Sequence, residues 1–414
     1  MNINNKHILP KEKRKSRKIK GLSLIIPIVI TAVCGCYHVL TSNILKLFGE
    51  KNEREVESLL KSVTPAQIKP IEYPACTDKQ RKKIMSQLRP NRCNDKFPGY
   101  LQQCSFTLAT KCPDSTWYDS NFELLRQRIK NENSSFVGVY VGCNKGYDAV
   151  NALRMGTGNP KYNKKDWRLQ MKGAHDGVCA QDIIEDVPLS SNNHVIDGVV
   201  HCIEPMPQTA KSLTSAAKNL SWEQNLLVKE IAMSNTTGEI YFGVSNKTGV
   251  ENRGIGNCDE YGRQFMSEER FEEECDKVSV TTLDHYMENL TTKKDEGRIH
   301  LLSIDVEGYD FNVMKGGRET LRRTEYLEFE YNWMGAWASQ KLVDATKMLD
   351  EIGFTCYFAG VDNLWRLDDS CWLDHYSCRG WSNVACVNRE LNKDVARNME
   401  DTFYKTLEKN IRYG

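Results

Sequence analysis

The chain has 414 residues, 40% of them hydrophobic, which is enough for one large domain or two ordinary ones. Its net charge of +1 gives no general attraction to nucleic acid, so we expect no nucleic-acid partner. The basic charge is instead local. Residues 1–20 are rich in lysine and arginine and predict a disordered cytosolic tail.

Residues 21–45 contain no Asp, Glu, Lys or Arg and predict a transmembrane signal anchor. An apolar segment of this length can span a bilayer core of about 30 Å. Because the positive charge precedes the span, the amino terminus is expected in the cytosol, which is a single-pass type II arrangement. The alternative is a cleaved signal peptide with its core near residues 22–33. Either reading places the rest of the chain in the secretory lumen.

Cysteine content and glycosylation motifs agree with that compartment. Leaving out Cys34 and Cys36, 13 of the 15 cysteines lie beyond the apolar span, a density typical of an oxidising environment. Because 13 is odd, at least one thiol is free or pairs between chains. Five acceptor sequons predict a glycoprotein, and they begin at Asn133, Asn219, Asn235, Asn246 and Asn289.

Residues 46–115 predict a stem followed by a cysteine-containing segment. The first part is charged and contains Pro65 and Pro70. The four cysteines from Cys76 to Cys112 are spaced too widely and unevenly for a zinc site, where close pairs are expected. Disulfides are the expected use, although the pairing stays open.

Residues 116–392 alternate between strand and helix patterns. Helical patterns at Gln208–Leu220 and Phe311–Leu321 separate several apolar, β-rich runs, which predicts an α/β fold with a mostly parallel sheet covered on both faces. Residues 393–414 predict a charged helical tail. The expected parallel strands are Ser135–Val141, Val195–Ile203, Leu226–Ala232, Ile299–Ile304 and Tyr326–Phe329, and Phe354–Phe358 with Asn383–Val387 predict a terminal antiparallel pair.

Two motifs follow the first two strands. Gly142 and Gly146 lie four apart between a strand and a helix, where glycine lets the backbone approach a ligand closely. An ordinary strand-to-helix turn would give the same pattern. The second strand ends in Glu204-Pro205, and an acid at this tip can accept hydrogen bonds from ribose hydroxyls. A plain surface glutamate is the alternative.

A third motif places acids at the end of a later strand. Asp305 and Glu307 follow an apolar run and precede Gly308. Open α/β sheets build their active sites at the carboxyl ends of strands. Residues two apart in a strand point to the same side, so both acids could face one cleft. Beyond the strand end this parity would fail, and the two acids would then face different groups.

Together these motifs resemble the FkbM family of S-adenosylmethionine-dependent methyltransferases. The resemblance covers about Phe136 to Asn388, and the combination is far more specific than any single motif. The residues that carry it are the turn with Gly142, Asn144 and Gly146, then Glu204-Pro205, Ile231-Ala232-Met233, Thr281-Thr282-Leu283-Asp284, Asp305-Val306-Glu307-Gly308, Gly316-Gly317 and Trp381-Ser382-Asn383-Val384.

The resemblance implies a Rossmann-like class I methyltransferase domain with S-adenosyl-L-methionine as its cofactor. It also assigns roles, with Asp305 and Glu307 as the catalytic pair and either one as the base. One departure stands out: the family's first motif opens with an acid that helps hold the methionine end of the cofactor, and this chain has Tyr140. The cofactor-binding residues implied are Gly142, Asn144, Gly146, Glu204 and Ala232.

Several other groups have two readings. The stretch 155–194 is longer than the fold needs and is either a substrate-facing lid or a solvated insertion. Asp305, Glu330 and Asn332 could together bind a divalent ion, although the resemblance implies no metal and we predict none. Three histidines, His201, His285 and His300, are possible bases but are more often packed or surface residues, and Cys143 and Cys202 predict small core residues or a local disulfide.

The expected function is O-methylation of a glycan hydroxyl by a membrane-anchored enzyme in the secretory lumen, with the Golgi as the expected organelle. A type II glycosyltransferase is one alternative, and Asp368-Asp369 is the adjacent acidic pair that it could use. A non-catalytic lumenal binding protein on a methyltransferase fold is another, and Tyr140 is its best support.

Overall fold

The computed structural model places the described residues within one compact unit, Pro70–Gly414. The predicted cytosolic tail, the predicted anchor and the sequons at Asn246 and Asn289 lie outside those residues. Within them, no helix has the length and apolar character needed to cross a membrane. The structure describes residues 73–88, 117–174, 186–190, 194–243, 247–251, 258, 263–288, 297–360, 362–380 and 382–411.

Two sheets are present among these residues. The strands are β1 (Phe136–Val141), β2 (Gly198–Ile203), β3 (Leu226–Lys229), β4 (Ala232–Ser234), β5 (Gly238–Gly243), β6 (Cys275–Thr282), β7 (Leu301–Ile304), β8 (Tyr326–Tyr331), β9 (Phe354–Ala359), β10 (Leu364–Arg366) and β11 (Ser382–Asn388). Eight form the main sheet in the order β10-β9-β11-β8-β7-β1-β2-β3, and three form a smaller sheet in the order β4-β6-β5.

The main sheet confirms the predicted fold class. Strands β8, β7, β1, β2 and β3 pair in parallel, and β11 runs antiparallel to both β8 and β9. The central strands are almost wholly buried, as expected for a parallel sheet with both faces covered. This arrangement is the mostly parallel α/β sheet that the alternating pattern predicted, and it agrees with the methyltransferase-like fold that the resemblance implied.

Helices pack against the sheets. The last one, Lys393–Glu408, buries an apolar stripe of Val395, Met399 and Phe403 at intervals of four residues. The helices are α1 (Asp78–Gln87), α2 (Phe122–Asn131), α3 (Tyr147–Thr157), α4 (Lys164–Gln170), α5 (Pro207–Asn219), α6 (Glu268–Glu274), α7 (Leu283–Glu288), α8 (Asp310–Lys315), α9 (Arg318–Arg322), α10 (Leu342–Ile352) and α11 (Lys393–Glu408).

Two predicted elements are wrong in extent. The run Leu226–Ala232 was predicted as one strand, but β3 ends at Lys229 and Ala232 begins β4 in the other sheet. The helix predicted over Phe311–Leu321 is two helices, because a glycine pair separates α8 from α9. At the first glycine, Gly316, a Cβ would lie 2.2 Å from the backbone oxygen of Ser234, so only glycine allows this close packing.

The described part of the predicted cysteine-containing segment packs onto the domain. Cys76 forms a disulfide with Cys371, 295 residues away, so one of the four N-terminal cysteines is in a disulfide as predicted. The buried Arg366 donates a hydrogen bond to the Pro74 carbonyl oxygen at 2.6 Å and pairs with Glu400 at 2.5 Å. These contacts cover the edge strand β10, which would otherwise expose unpaired backbone groups.

Replacing Arg366 tests how much its contacts with Pro74 and Glu400 stabilise the fold. Arg366→Met leaves Glu400 buried without its cation, and we expect the free energy of unfolding to fall by about 3–5 kcal/mol. Arg270→Ala is the control, because its pair with Glu274 is exposed, and such pairs contribute roughly 0–1 kcal/mol. Chemical denaturation of both variants checks the difference. Equal decreases in the free energy of unfolding would contradict a stabilising role for the buried pair.

Candidate cofactor cleft and active site

Three parallel strands end at one level of the main sheet. Val141, the last residue of β1, pairs with the last residue of β2 on one side and the last residue of β7 on the other. The residues that follow these three strands are Gly142, Glu204 and Asp305. They therefore lie side by side at the carboxyl edge, where open α/β sheets bind ligands.

The turn after β1 requires glycine at its first position. Gly142 has φ +87°, and a Cβ there would lie 1.6 Å from the backbone oxygen of Asp305. Its N–H donates to the Ile203 carbonyl oxygen at 3.0 Å, which ties the turn to β2. Asn144 follows at φ +46° and Gly146 at φ +78°, so the turn contains three left-handed residues before α3 begins.

Glu204 closes the turn from the second strand. One carboxylate oxygen accepts the Asn144 N–H at 2.7 Å, and the other accepts the Met206 N–H at 2.9 Å. Burial raises the pKa of Glu204 to about 7; the two N–H donors act to lower it, and the nearby Asp305 raises it further. The side chain is 5% exposed, so this is not the surface glutamate of the alternative reading.

Asp305 and Glu307 both lie beyond the end of β7, so strand parity does not place them. Glu307 adopts a left-handed backbone with φ +54°, and Gly308 follows at φ +91°, which makes a tight turn. Asp305 lies at the base of the cleft, where solvent reaches it although protein surrounds it. Burial raises the pKa of Asp305 to about 7, and the charges of Glu307 and Glu251 add to that shift.

These groups line a single cleft with an empty volume of about 1120 Å³, including its open mouth. The carboxyl edge of the main sheet forms one wall. The smaller sheet forms the other wall, where Ala232, Ile240, Phe242 and Val280 present apolar side chains. Of the predicted cofactor residues, Gly142, Asn144, Glu204 and Ala232 line the cleft, as do both predicted catalytic acids.

Gly146, the remaining predicted cofactor residue, lies behind the turn and contacts the insertion instead. A Cβ on Gly146 would lie 3.0 Å from the ring of Trp167, which is fully buried. The Trp167 Nε1–H donates to the Lys145 carbonyl oxygen at 2.8 Å. The described part of the insertion thus supports the turn from outside the cleft rather than forming a lid over it. Sequence reasoning missed this role, although an aromatic residue in a long insertion was the available signal.

Tyr140 takes the position of the family's acid and lies behind the cleft. Burial raises the pKa of its hydroxyl well above the ordinary value, and the neighbouring carboxylates of Asp148, Asp119 and Glu328 raise it further. The hydroxyl therefore stays neutral at any physiological pH.

The remaining candidates do not join the cleft. Glu330 accepts a hydrogen bond from Asn332 at 2.5 Å, and neither lines the cleft. Among the described residues, no group of three or more His, Cys, Asp or Glu could hold a metal ion. His201 contacts the Tyr286 hydroxyl at 3.0 Å, and burial lowers the pKa of His201 to about 4.

The other two histidines and the late acidic pair also have structural explanations. His300 is buried and accepts the Val137 N–H at 3.0 Å, while His285 is exposed. Asp368 pairs with the buried Arg366 at 2.8 Å and accepts the Cys371 N–H. The acidic pair at 368–369 is therefore part of a turn, which removes the feature that favoured a glycosyltransferase.

The fold and the cleft define a Rossmann-like enzyme domain with a ligand site at the carboxyl edge of its sheet. Residues 173–356 match the model of the methyltransferase FkbM domain. This match confirms the resemblance to FkbM methyltransferases over that part of the chain. The matched range begins after the glycine turn and includes Glu204, Asp305 and Glu307.

Two individual proteins are similar to the chain. The 2-O-methyltransferase NoeI of Sinorhizobium fredii (strain NBRC 101917 / NGR234) is 24% identical over 161 residues, which cover 39% of this chain and 61% of NoeI. The chain thus spans less than two thirds of that relative's length. The crystal structure of a proposed O-methyltransferase from Klebsiella pneumoniae is 9% identical to this chain. The alignment covers 80% of this chain and 95% of that structure, with a TM-score of 0.27.

The close approach at Gly142 can be tested against a matched glycine. Gly173 has φ +88°, nearly the same as Gly142, but a Cβ there would meet nothing within 4 Å. Gly173→Ala should cost about 1–2 kcal/mol of stability from left-handed strain alone. Gly142→Ala should cost about 1–3 kcal/mol more, because the Asp305 carbonyl must move. Urea unfolding of the two variants checks this, and equal costs would contradict the proposed packing.

Proposed function

We propose that this chain is an S-adenosyl-L-methionine-dependent O-methyltransferase. The observation that carries the proposal is the meeting of the glycine turn, Glu204 and Asp305 in one cleft of a domain that matches the methyltransferase FkbM model. Each of these features alone has an ordinary structural explanation. Their alignment at one sheet edge is the arrangement that a nucleotide-bearing cofactor needs.

The residues in the cleft fit this cofactor. Each carboxylate oxygen of Glu204 accepts one backbone N–H and retains a lone pair for a ribose hydroxyl. Ile231, Ala232 and Met233 offer an apolar surface for a purine ring.

The acids at the base of the cleft suit methyl transfer. When bound, the cofactor supplies a methyl group activated by a positively charged sulfonium. Asp305 and Glu307 place negative charge at that end of the cleft and can orient an acceptor hydroxyl. Alignment can contribute about 7–11 kcal/mol in favourable cases, and a positioned base adds about 10²–10⁴-fold. A carboxyl group with a pKa of about 7, as in Asp305, is suited to take the hydroxyl proton near neutral pH.

For the acceptor we propose the hydroxyl of a glycan in the secretory lumen. The name of the similar NoeI protein, a 2-O-methyltransferase, supports oxygen as the acceptor atom. Thr236, Tyr309 and Asn312 add hydroxyl and amide groups to the cleft, which suits a ligand rich in hydroxyls. Four disulfides within the described residues support an oxidising compartment. The type II membrane anchor and the Golgi location remain part of the proposal.

Labelled S-adenosyl-L-methionine incubated with the full-length chain tests the acceptor class. We expect label on glycans and none on lipids or peptides that lack sugar. Label found only on lipid or protein would overturn the glycan proposal while leaving the methyltransferase activity intact. Binding of a nucleotide sugar in place of the cofactor would instead favour a glycosyltransferase, and binding of neither would favour a non-catalytic protein.

Cofactor affinity should depend on pH through Glu204. S-adenosylhomocysteine is the suitable probe, because it carries no sulfonium charge and reports mainly on the ribose contact. An ionised carboxylate accepts hydrogen bonds more strongly than a protonated one. Since the pKa of Glu204 is about 7, affinity should rise from about pH 6 to about pH 8.

Glu204→Ala should weaken binding roughly tenfold at the higher pH, which equals the loss of about 1.4 kcal/mol, and should flatten the pH profile. The exposed Glu274→Ala on α6 is the control, because Glu274 lies outside the cleft. Isothermal calorimetry measures all three chains. A profile that stays steep after Glu204→Ala would show that another group controls binding.

The two acids can be separated by their effect on turnover. Asp305→Asn should lower the rate of methyl transfer by about 10²–10⁴-fold, as expected for loss of a base. Glu307→Gln should lower it by less than about tenfold if Glu307 mainly shapes the turn. Affinity for S-adenosylhomocysteine should stay within about threefold in both variants. The reverse order of the losses would assign the proton to Glu307.

A further inference from the structure

A buried disulfide lies directly beneath the cleft. Cys143 belongs to the glycine turn, and Cys202 belongs to β2, two residues before Glu204. Their Cα atoms are 5.3 Å apart, and the bond joins positions 59 residues apart in the sequence. Cys202 is fully buried and Cys143 is 8% exposed, so the bond lies in the core rather than on the surface.

Hydrogen bonds also join the two segments that this disulfide links. The N–H groups of Gly142 and Cys143 both donate to the Ile203 carbonyl oxygen, at 3.0 and 2.9 Å. The next N–H, from Asn144, donates to the Glu204 carboxylate at 2.7 Å. Three consecutive residues of the turn are thus held against the end of β2, and the disulfide is the covalent member of that set.

The turn needs such support, because its backbone is strained. Asn144 has φ +46°, a left-handed conformation that costs a side-chain-bearing residue free energy unless its surroundings hold it. Asn144 also supplies the N–H that holds the Glu204 carboxylate. If the turn relaxed, this carboxylate would lose that donor and move from the position that a ribose requires.

We propose that the Cys143–Cys202 disulfide is a positioning element for the cofactor. It fixes the glycine turn relative to Glu204, so the chain with this bond binds the cofactor tightly and the chain without it binds weakly. This inference rests on the proposed methyltransferase function. Its physical basis is preorganisation: a site that is already in the bound geometry loses less conformational freedom when the ligand binds.

A second buried disulfide provides a matched control. Cys356 and Cys386 are directly paired residues of β9 and β11, and both are at most 4% exposed. Neither cysteine lines the cleft. Removing this bond therefore deletes two sulfur atoms from the core of the same sheet, as the removal of the first disulfide does, but it leaves the glycine turn untouched.

The test compares two double variants of the full-length chain. We expect Cys143→Ala with Cys202→Ala to weaken S-adenosylhomocysteine binding by about tenfold, because the turn and Glu204 are no longer held together. Cys356→Ala with Cys386→Ala should change it by less than about twofold. Both pairs should lower the melting temperature, so stability alone cannot account for a difference in affinity. With a glycan acceptor, the first pair should raise KM for the cofactor and leave KM for the acceptor unchanged.

The outcomes separate the two proposals. If the wild-type chain binds and the two double variants bind equally well, the positioning role is overturned and the methyltransferase proposal stands. If the wild-type chain binds no S-adenosylhomocysteine, both are overturned. Should the first double alanine variant fail to fold, Cys143→Ala with Cys202→Val is measured in its place, because valine fills more of the space left by the Cys202 sulfur.

Discussion

The common end point of β1, β2 and β7 determines where every candidate functional group lies. Val141 pairs with the last residues of both neighbouring strands, so the chain leaves the sheet three times at one level. Shifting β2 by one residue would turn its side chains to the opposite face and move Glu204 away from the Asn144 N–H.

This edge holds the Glu204 carboxylate in a place with little water, and the chain opposes that cost locally. Two backbone N–H donors act to lower the pKa of Glu204, yet burial still raises it to about 7. Two residues at the edge, Asn144 and Glu307, have left-handed backbones that cost about 1–3 kcal/mol each. Such strain persists only where packing leaves no alternative, and Trp167 and the Cys143 disulfide supply that packing here.

The sequence predicts the parts of this arrangement that depend on local patterns. Long apolar runs identify β1, β2 and β8, and the acids after strand ends identify Glu204 and Asp305. The smaller sheet was not predicted, because β4 has only three residues and no residue of β5 is fully buried. The break between β3 and β4 has no glycine or proline to mark it. The left-handed backbone of Glu307 and the support from Trp167 depend on tertiary contacts, which no local pattern encodes.

The two walls of the cleft differ in what holds them in place. The sheet edge that carries Glu204 and Asp305 belongs to the main hydrophobic core, which extends from β1 through the antiparallel strands. The smaller sheet has its own limited core of Ala232, Val278 and Val280. Regions with few buried apolar contacts open at lower free energy than large cores do. The sheet edge that carries Glu204 and Asp305 is therefore the rigid side of the cleft, and the wall facing it can adapt. Because Ala232 begins β4 in that facing wall, the residues proposed to hold the cofactor are divided between a rigid edge and an adaptable sheet.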